Sequence, residues 1–148
     1  LTHIRLGEYA PIRLARIVHL LRIYDCLCDA TRLRLLNLLA EQSLCVCHLE
    51  AALKLPQARI SRHLAYLRRN GLVTVAQQGP WRVYALAEPA PAALRANLAC
   101  LQDARATEPQ FAQDLERLAH LARNSIAAAP RRTCRAAISS ASPAADFP

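Results

Sequence analysis

Apolar positions along this chain recur mostly at helical spacing, interrupted once by a short stretch of alternation. Pro11, well placed for a first helical turn, opens a stretch to about Leu27 with Ile12, Ala15 and His19 on one side. Asp29 is a natural N-cap for a second helix, along which Leu33, Leu36 and then Leu39 or Ala40 return every three or four residues. Ser43 is the expected cap of a short third helix reaching about Leu53, and Pro56 opens a fourth whose inner stripe is Ile60, Leu64 and Leu67. Gly71 supplies the left-handed residue that ends it. The period then becomes two. Val73 to Ala76 and Trp81 to Leu86 read as strands around the turn Gln78-Gly79-Pro80. Helical spacing resumes from Pro91 to Ala106 and from Pro109 to about Asn124.

This order predicts a mainly α chain with a β-hairpin wing, a winged helix-turn-helix. The helices on either side of Lys54-Leu55 form the helix-turn-helix, and the second of them is the one expected in a DNA major groove. Residues 1–124 form one DNA-binding and dimerisation domain. From 125 to 148 the chain is rich in Ala, Ser and Pro without a sustained apolar period, which predicts a disordered tail.

Charge sharpens the picture. The chain of 148 residues carries a net charge of +8. From Ala51 to Ala87 it places Lys54, Arg59, Arg62, Arg68, Arg69 and Arg82 with no Asp or Glu between them. So one-sided a stretch suits a polyanion, because neutralised phosphates release their counterions. On the fourth helix the face opposite the inner stripe holds Gln57, Ala58, Arg59, Ser61 and Arg62, with His63 beside it in a packing or hydrogen-bonding place. Gln and Arg can pair with purine edges, Ser can bond base or phosphate, and Ala leaves room for a thymine methyl. Arg68 and Arg69 fall at the far end and fit phosphate contacts, while Gly79 and Arg82 carry the wing toward the backbone or minor groove. The expected partner is double-stranded operator DNA.

No apolar run reaches the length of a membrane span, Arg16, His19 and Arg22 breaking the nearest one. Without a secretory signal in this sequence, the expected compartment is the cytoplasm. With three glycines and no Cys-x-x-Cys in a βαβ setting, neither a phosphate-cradling loop nor a thiol oxidoreductase motif is present, and no enzyme is expected. The cysteines cluster: Cys26 with Cys28, Cys45 with Cys47, then Cys100 and Cys134 alone. In a reducing compartment such thiols serve as metal ligands, redox sensors or small core residues.

Asp29-Ala30-Thr31-Arg32-Leu33-Arg34-Leu35-Leu36, Leu44-Cys45-Val46-Cys47-His48-Leu49, Ser61-Arg62-His63-Leu64 and Asn70-Gly71-Leu72-Val73 follow one another in the order of a known group. Over about Tyr24 to Leu86 the chain resembles the arsenical-resistance and metallothionein-repressor family, the ArsR/SmtB type. The resemblance implies a homodimeric repressor that leaves its operator when thiolates bind an inducing ion. It makes Cys45 and Cys47 the ligands and arsenite or antimonite the expected inducer. Cadmium, lead or zinc are the alternatives, the first two on four thiolates with Cys26 and Cys28. A thiol-redox switch without metal is a further alternative.

Arsenic-sensing members often carry a third cysteine where this chain has Glu50, and an acidic residue where it has His48. The third sulfur is then expected from Cys26, Cys28, Cys100 or Cys134. Other relatives use ligands on the last helix; Asp114, Glu116 and His120 are present here, without the fuller spacing. Two residues apart on one helix point about 200° apart. The expectation is therefore that binding unwinds the first turn of the third helix and displaces the helix after it.

Overall fold

A computed structural model describes residues 9–127 and the side chains of residues 14–123. It contains α1 (Tyr9–Leu27), α2 (Ala30–Leu39), β1 (Leu44–Cys45), α3 (Val46–Leu53), α4 (Gln57–Arg69), β2 (Val73–Gln78), β3 (Trp81–Leu86), α5 (Ala92–Ala104) and α6 (Pro109–Ala127). The winged helix-turn-helix is present as expected, and α6 runs past the anticipated boundary at 124. Residues 128–148, and Cys134 with them, lie outside the described residues.

Capping signals act where the sequence puts them. The Asp29 carboxylate accepts from the Arg32 N–H at 2.9 Å and starts α2. At the end of α4, Gly71 takes a φ of 74°. Its N–H donates to the Arg68 carbonyl and that of Leu72 to the Leu67 carbonyl, each at 3.0 Å, a reciprocal pair that closes the helix and turns the chain into β2. Gly79, at φ 58°, gives the tight hairpin the positive φ its first loop residue needs.

Three expectations change. Ser43 is not the cap of α3; Cys45 is, in extended conformation at φ −81° and ψ 161°. The residues before it form a third strand, Leu44 pairing with Tyr84 and Cys45 with Val83, so the sheet runs β1-β3-β2 rather than as a bare hairpin. A strand so short shows no alternation, and only its partner far along the chain defines it. Helix α2 is also buried on more than one stripe: Leu35 and Leu38 join Leu36 and Leu39 in the core, while Leu33 is only half-buried. It lies at the centre, packed against α1, α3, α4, α5 and α6.

The core is aliphatic: Leu35, Leu36 and Leu38 meet Leu49 and Leu53 of α3, Ile60, Leu64 and Leu67 of α4, Leu72, and Leu94 of α5. Each such side chain contributes roughly 1.5–3 kcal/mol. Beneath it a polar knot joins three helices. Arg34 clamps Asp114 through Nε and Nη2 at 2.6 and 2.8 Å, and Arg117 and Gln110 reach the same carboxylate at 2.9 Å. The two arginines also donate to the Leu53 and Ala52 carbonyls at 2.9 and 3.0 Å. These belong to the last turn of α3, where backbone oxygens lack helical partners. The knot thus fixes the helix that leads into α4.

Between them the chain turns at Lys54, the one described non-glycine residue with positive φ, at 53°. An L-residue there is strained by its own Cβ. Lys54→Gly is expected to stabilise the fold by about 0.5–1 kcal/mol, the relieved strain exceeding glycine's extra unfolded-state entropy. Urea denaturation checks this; an unchanged or lower midpoint would show the turn is unstrained.

Candidate functional site

Cys45 and Cys47 stand where β1 turns into α3. Because Cys45 is extended and Cys47 is in the first turn, their sulfurs converge although the residues are two apart; the Cα atoms are 5.5 Å apart and the sulfurs are bonded to each other. The premise of opposed sulfurs on an intact helix does not hold, and no unwinding is needed to bring them together. His48 follows at the third helical position, the place from which a side chain reaches back to the N-cap. Its Nδ1 lies 3.3 Å from Cys45 Sγ. The donor atoms of Cys45, Cys47 and His48 all fall within 4.8 Å of one another. Cys45 and His48 are buried and Cys47 is exposed. Burial pushes the His48 pKa down, which favours the neutral imidazole that can donate a lone pair.

No other group of three such donors comes together among the described residues. Cys26 is buried in the core, its thiol pKa raised by burial, while Cys28 and Cys100 are exposed. Asp114 is spent on Arg34 and Arg117, and Glu116 and His120 form a well-exposed pair 3.9 Å apart. His48 was missed in the sequence, where it registers only as a departure from an acidic residue. Its spacing of three from Cys45 becomes a signal only when Cys45, rather than Ser43, caps the helix.

Both cysteines line a cleft of about 610 Å³. One wall is Cys45, Cys47 and Glu50; Gln57 and Ser61 of α4 form another; Gln77, Trp81, Arg82 and Tyr84 of the wing form the third. The groups expected to read DNA and the groups expected to bind an ion therefore share one cavity. On α4, Gln57, Ala58, Arg59 and Arg62 are exposed and Ser61 is half-buried beside them. Arg59 also donates to the Thr31 hydroxyl at 3.2 Å. His63 faces Asp29 at 3.6 Å, its pKa held down by burial against the pull of that carboxylate, so it braces α4 on the start of α2. Arg68 and Arg69 are exposed at the helix end, Arg69 lying over the Tyr66 ring. Arg82 and Gly79 are exposed on the wing, and Tyr84 is buried.

Residues 29–75 match the family described as "Bacterial regulatory protein, arsR family". The arsenic resistance transcriptional regulator ArsR1 of Pseudomonas putida is 40% identical over 100 residues, 67% of this chain and 77% of that protein. The chain belongs to the arsR family. Within it, the arsenical resistance operon repressor of Escherichia coli is 45% identical over 73 residues, 49% of this chain and 62% of that repressor. Among solved structures, the transcriptional regulator HlyU of Vibrio vulnificus is 33% identical, with a TM-score of 0.51 over 63% of this chain and 91% of HlyU. As an arsR-family regulator the chain has a winged helix-turn-helix made for DNA. No described helix is long and apolar enough to cross a membrane.

Proposed function

We propose that this arsR-family chain is a homodimeric transcriptional repressor, released from operator DNA when Cys45 and Cys47 bind arsenite or antimonite. The observation that carries the reading is the shared cleft, which Cys45 and Cys47 line together with Gln57 and Ser61 of α4 and Arg82 of the wing. The arsenical-resistance names of its relatives support the choice of ion. Reduced, the two cysteines offer thiolates at one point beside the first turn of α3, where unpaired N–H groups favour negative charge. Cys45 pairs with Val83 of the wing, and α3 leads through Lys54 into α4. An ion that bridges the two reduced sulfurs thus acts on both DNA-facing elements at once.

Dimerisation is supported by α1, whose Leu14, Ile17 and Leu21 are 63%, 54% and 61% exposed at helical spacing. Such a stripe is costly to leave in water and suits a second copy. The Cys45–Cys47 bond itself favours a second reading, a redox switch in which oxidation rather than an ion causes release. Reduced protein on a labelled palindromic operator, followed by fluorescence anisotropy, tests both. Release by stoichiometric arsenite supports the ion; release by peroxide with indifference to arsenite supports the switch. In the same assay Arg62→Ala is expected to lower specific affinity tenfold or more, in line with roughly 1–3 kcal/mol for a base-pairing side chain. Equal affinity on operator and random DNA would remove α4 as the reading element.

A further inference from the structure

We infer that Tyr66, with His63 and Arg59, positions the recognition helix: together they tie α4 to the corner between α1 and α2, so that the dimer accepts one spacing of operator half-sites. This rests on the reading of the chain as a homodimer with α1 at its interface and α4 in the DNA groove, and adds the joint between those two helices.

The three residues share one flank of α4. Arg59, His63 and Tyr66 stand four and three residues apart, next to the core stripe Ile60, Leu64 and Leu67. They lie on the side away from Gln57 and Ser61, which line the cleft. Their partners run backward along the chain. Arg59 donates to the Thr31 hydroxyl of α2 at 3.2 Å, and His63 Nδ1 faces the Asp29 carboxylate at 3.6 Å. The Tyr66 hydroxyl donates to the Asp25 carboxylate near the end of α1. The register thus crosses from α2 to α1 over two turns of α4, about 10 Å. One contact would leave α4 free to swivel; contacts spread over two turns fix its tilt and its roll.

Arg32 closes the joint. Its guanidinium donates to the Cys26 and Asp25 carbonyls at 2.7 and 2.6 Å, in the last turn of α1. The same guanidinium lies 4.7 Å from the centre of the Tyr66 ring. One side chain therefore holds the end of α1 and packs on α4, and α1 is the helix whose Leu14, Ile17 and Leu21 stay exposed for a second copy. The Tyr66–Asp25 contact is exposed, where a single polar pair adds little stability. What it supplies is geometry. On a palindrome the two recognition helices must meet half-sites at a set distance and rotation, and each added base pair turns the second half-site by roughly 35°. A joint that swivels tolerates a change that a fixed joint rejects.

The test uses the reduced full chain and the palindrome it selects from random duplex DNA, rebuilt with one base pair added or removed between the half-sites. Affinities from fluorescence anisotropy are compared as ratios between spacings, in which uniform changes of charge or folded fraction cancel. Wild type is expected to lose about tenfold or more on either altered spacing. Tyr66→Phe keeps the ring beside Arg32 and drops the hydroxyl; it should lose about threefold or less, with an unchanged urea midpoint. Asp25→Ala should behave alike, and the double variant no differently from either, because all remove one contact. Asp25→Asn keeps an acceptor and should restore the wild-type penalty. Retention of that penalty by Tyr66→Phe and Asp25→Ala would overturn the inference and leave a dimeric repressor in place, as would a loss equal on all spacings. A selection that returns single half-sites in place of a palindrome would overturn the homodimer reading, and the inference with it.

Discussion

Cys47→Ser is expected to bind operator DNA within about twofold of wild type and to need at least a hundredfold more arsenite for release. The first half follows from position: Cys47 is exposed and outside the core, so oxygen in place of sulfur disturbs little packing. The second follows from chelation. With both thiolates the second bond to arsenic forms within the molecule, at a high effective concentration; with one, the ion is held by a single bond and exchanges freely. Cys45→Ser should lose the response as fully, with an added loss of stability, because it is buried between β3 and His48 and a hydroxyl there is harder to satisfy. Anisotropy on the operator against arsenite concentration reads both variants. Release of Cys47→Ser at the wild-type arsenite concentration would remove the cysteine pair as the sensor.

What the sequence made legible was local. The stripe Ile60, Leu64, Leu67 and the stop at Gly71 define α4 without any other part of the chain, and the structure buries those three leucine and isoleucine side chains completely. Asp29 capping α2 is likewise set by its own neighbours. What escaped was held by distant partners. Leu44 and Cys45 become a strand only because β3 lies beside them, and that strand shifts the start of α3, brings the sulfurs together and places His48 against Cys45. Arg59 reads as an exposed polar residue of a recognition helix, yet Thr31 gives it a bracing contact, and His63, legible as a packing or hydrogen-bonding residue, finds its partner Asp29 at the start of another helix. The apolar positions of α1 were legible as amphipathic; that Leu14 and Leu21 would stay exposed follows from how the other helices close over α2.

Asp114 is the strongest case of a residue whose meaning lies elsewhere in the chain, and its replacement carries the largest expected effect on stability. The carboxylate is fully buried and is held by Arg34, Arg117 and Gln110. Asp114→Ala leaves Arg34, only 16% exposed, with its charge uncompensated, and the expected cost is about 3 kcal/mol, the lower end for breaking a buried pair because Arg34 retains some water. In urea this should appear as a lower midpoint with an unchanged slope. Asp114→Asn keeps the shape and an acceptor oxygen and should cost less. Replacing both partners, as in Arg34→Met with Asp114→Leu, should recover part of the loss, since two apolar side chains leave neither charge stranded. That double variant also separates stability from function. Arg34 holds the last turn of α3 through the Leu53 carbonyl, just ahead of the Lys54 turn into α4. A double variant that regains the wild-type midpoint should therefore still bind operator less tightly, because the Leu53 carbonyl has lost its donor and only Arg117, on the Ala52 carbonyl, still holds the end of α3. Full recovery of both would show that the knot serves the fold alone and does not set the recognition helix.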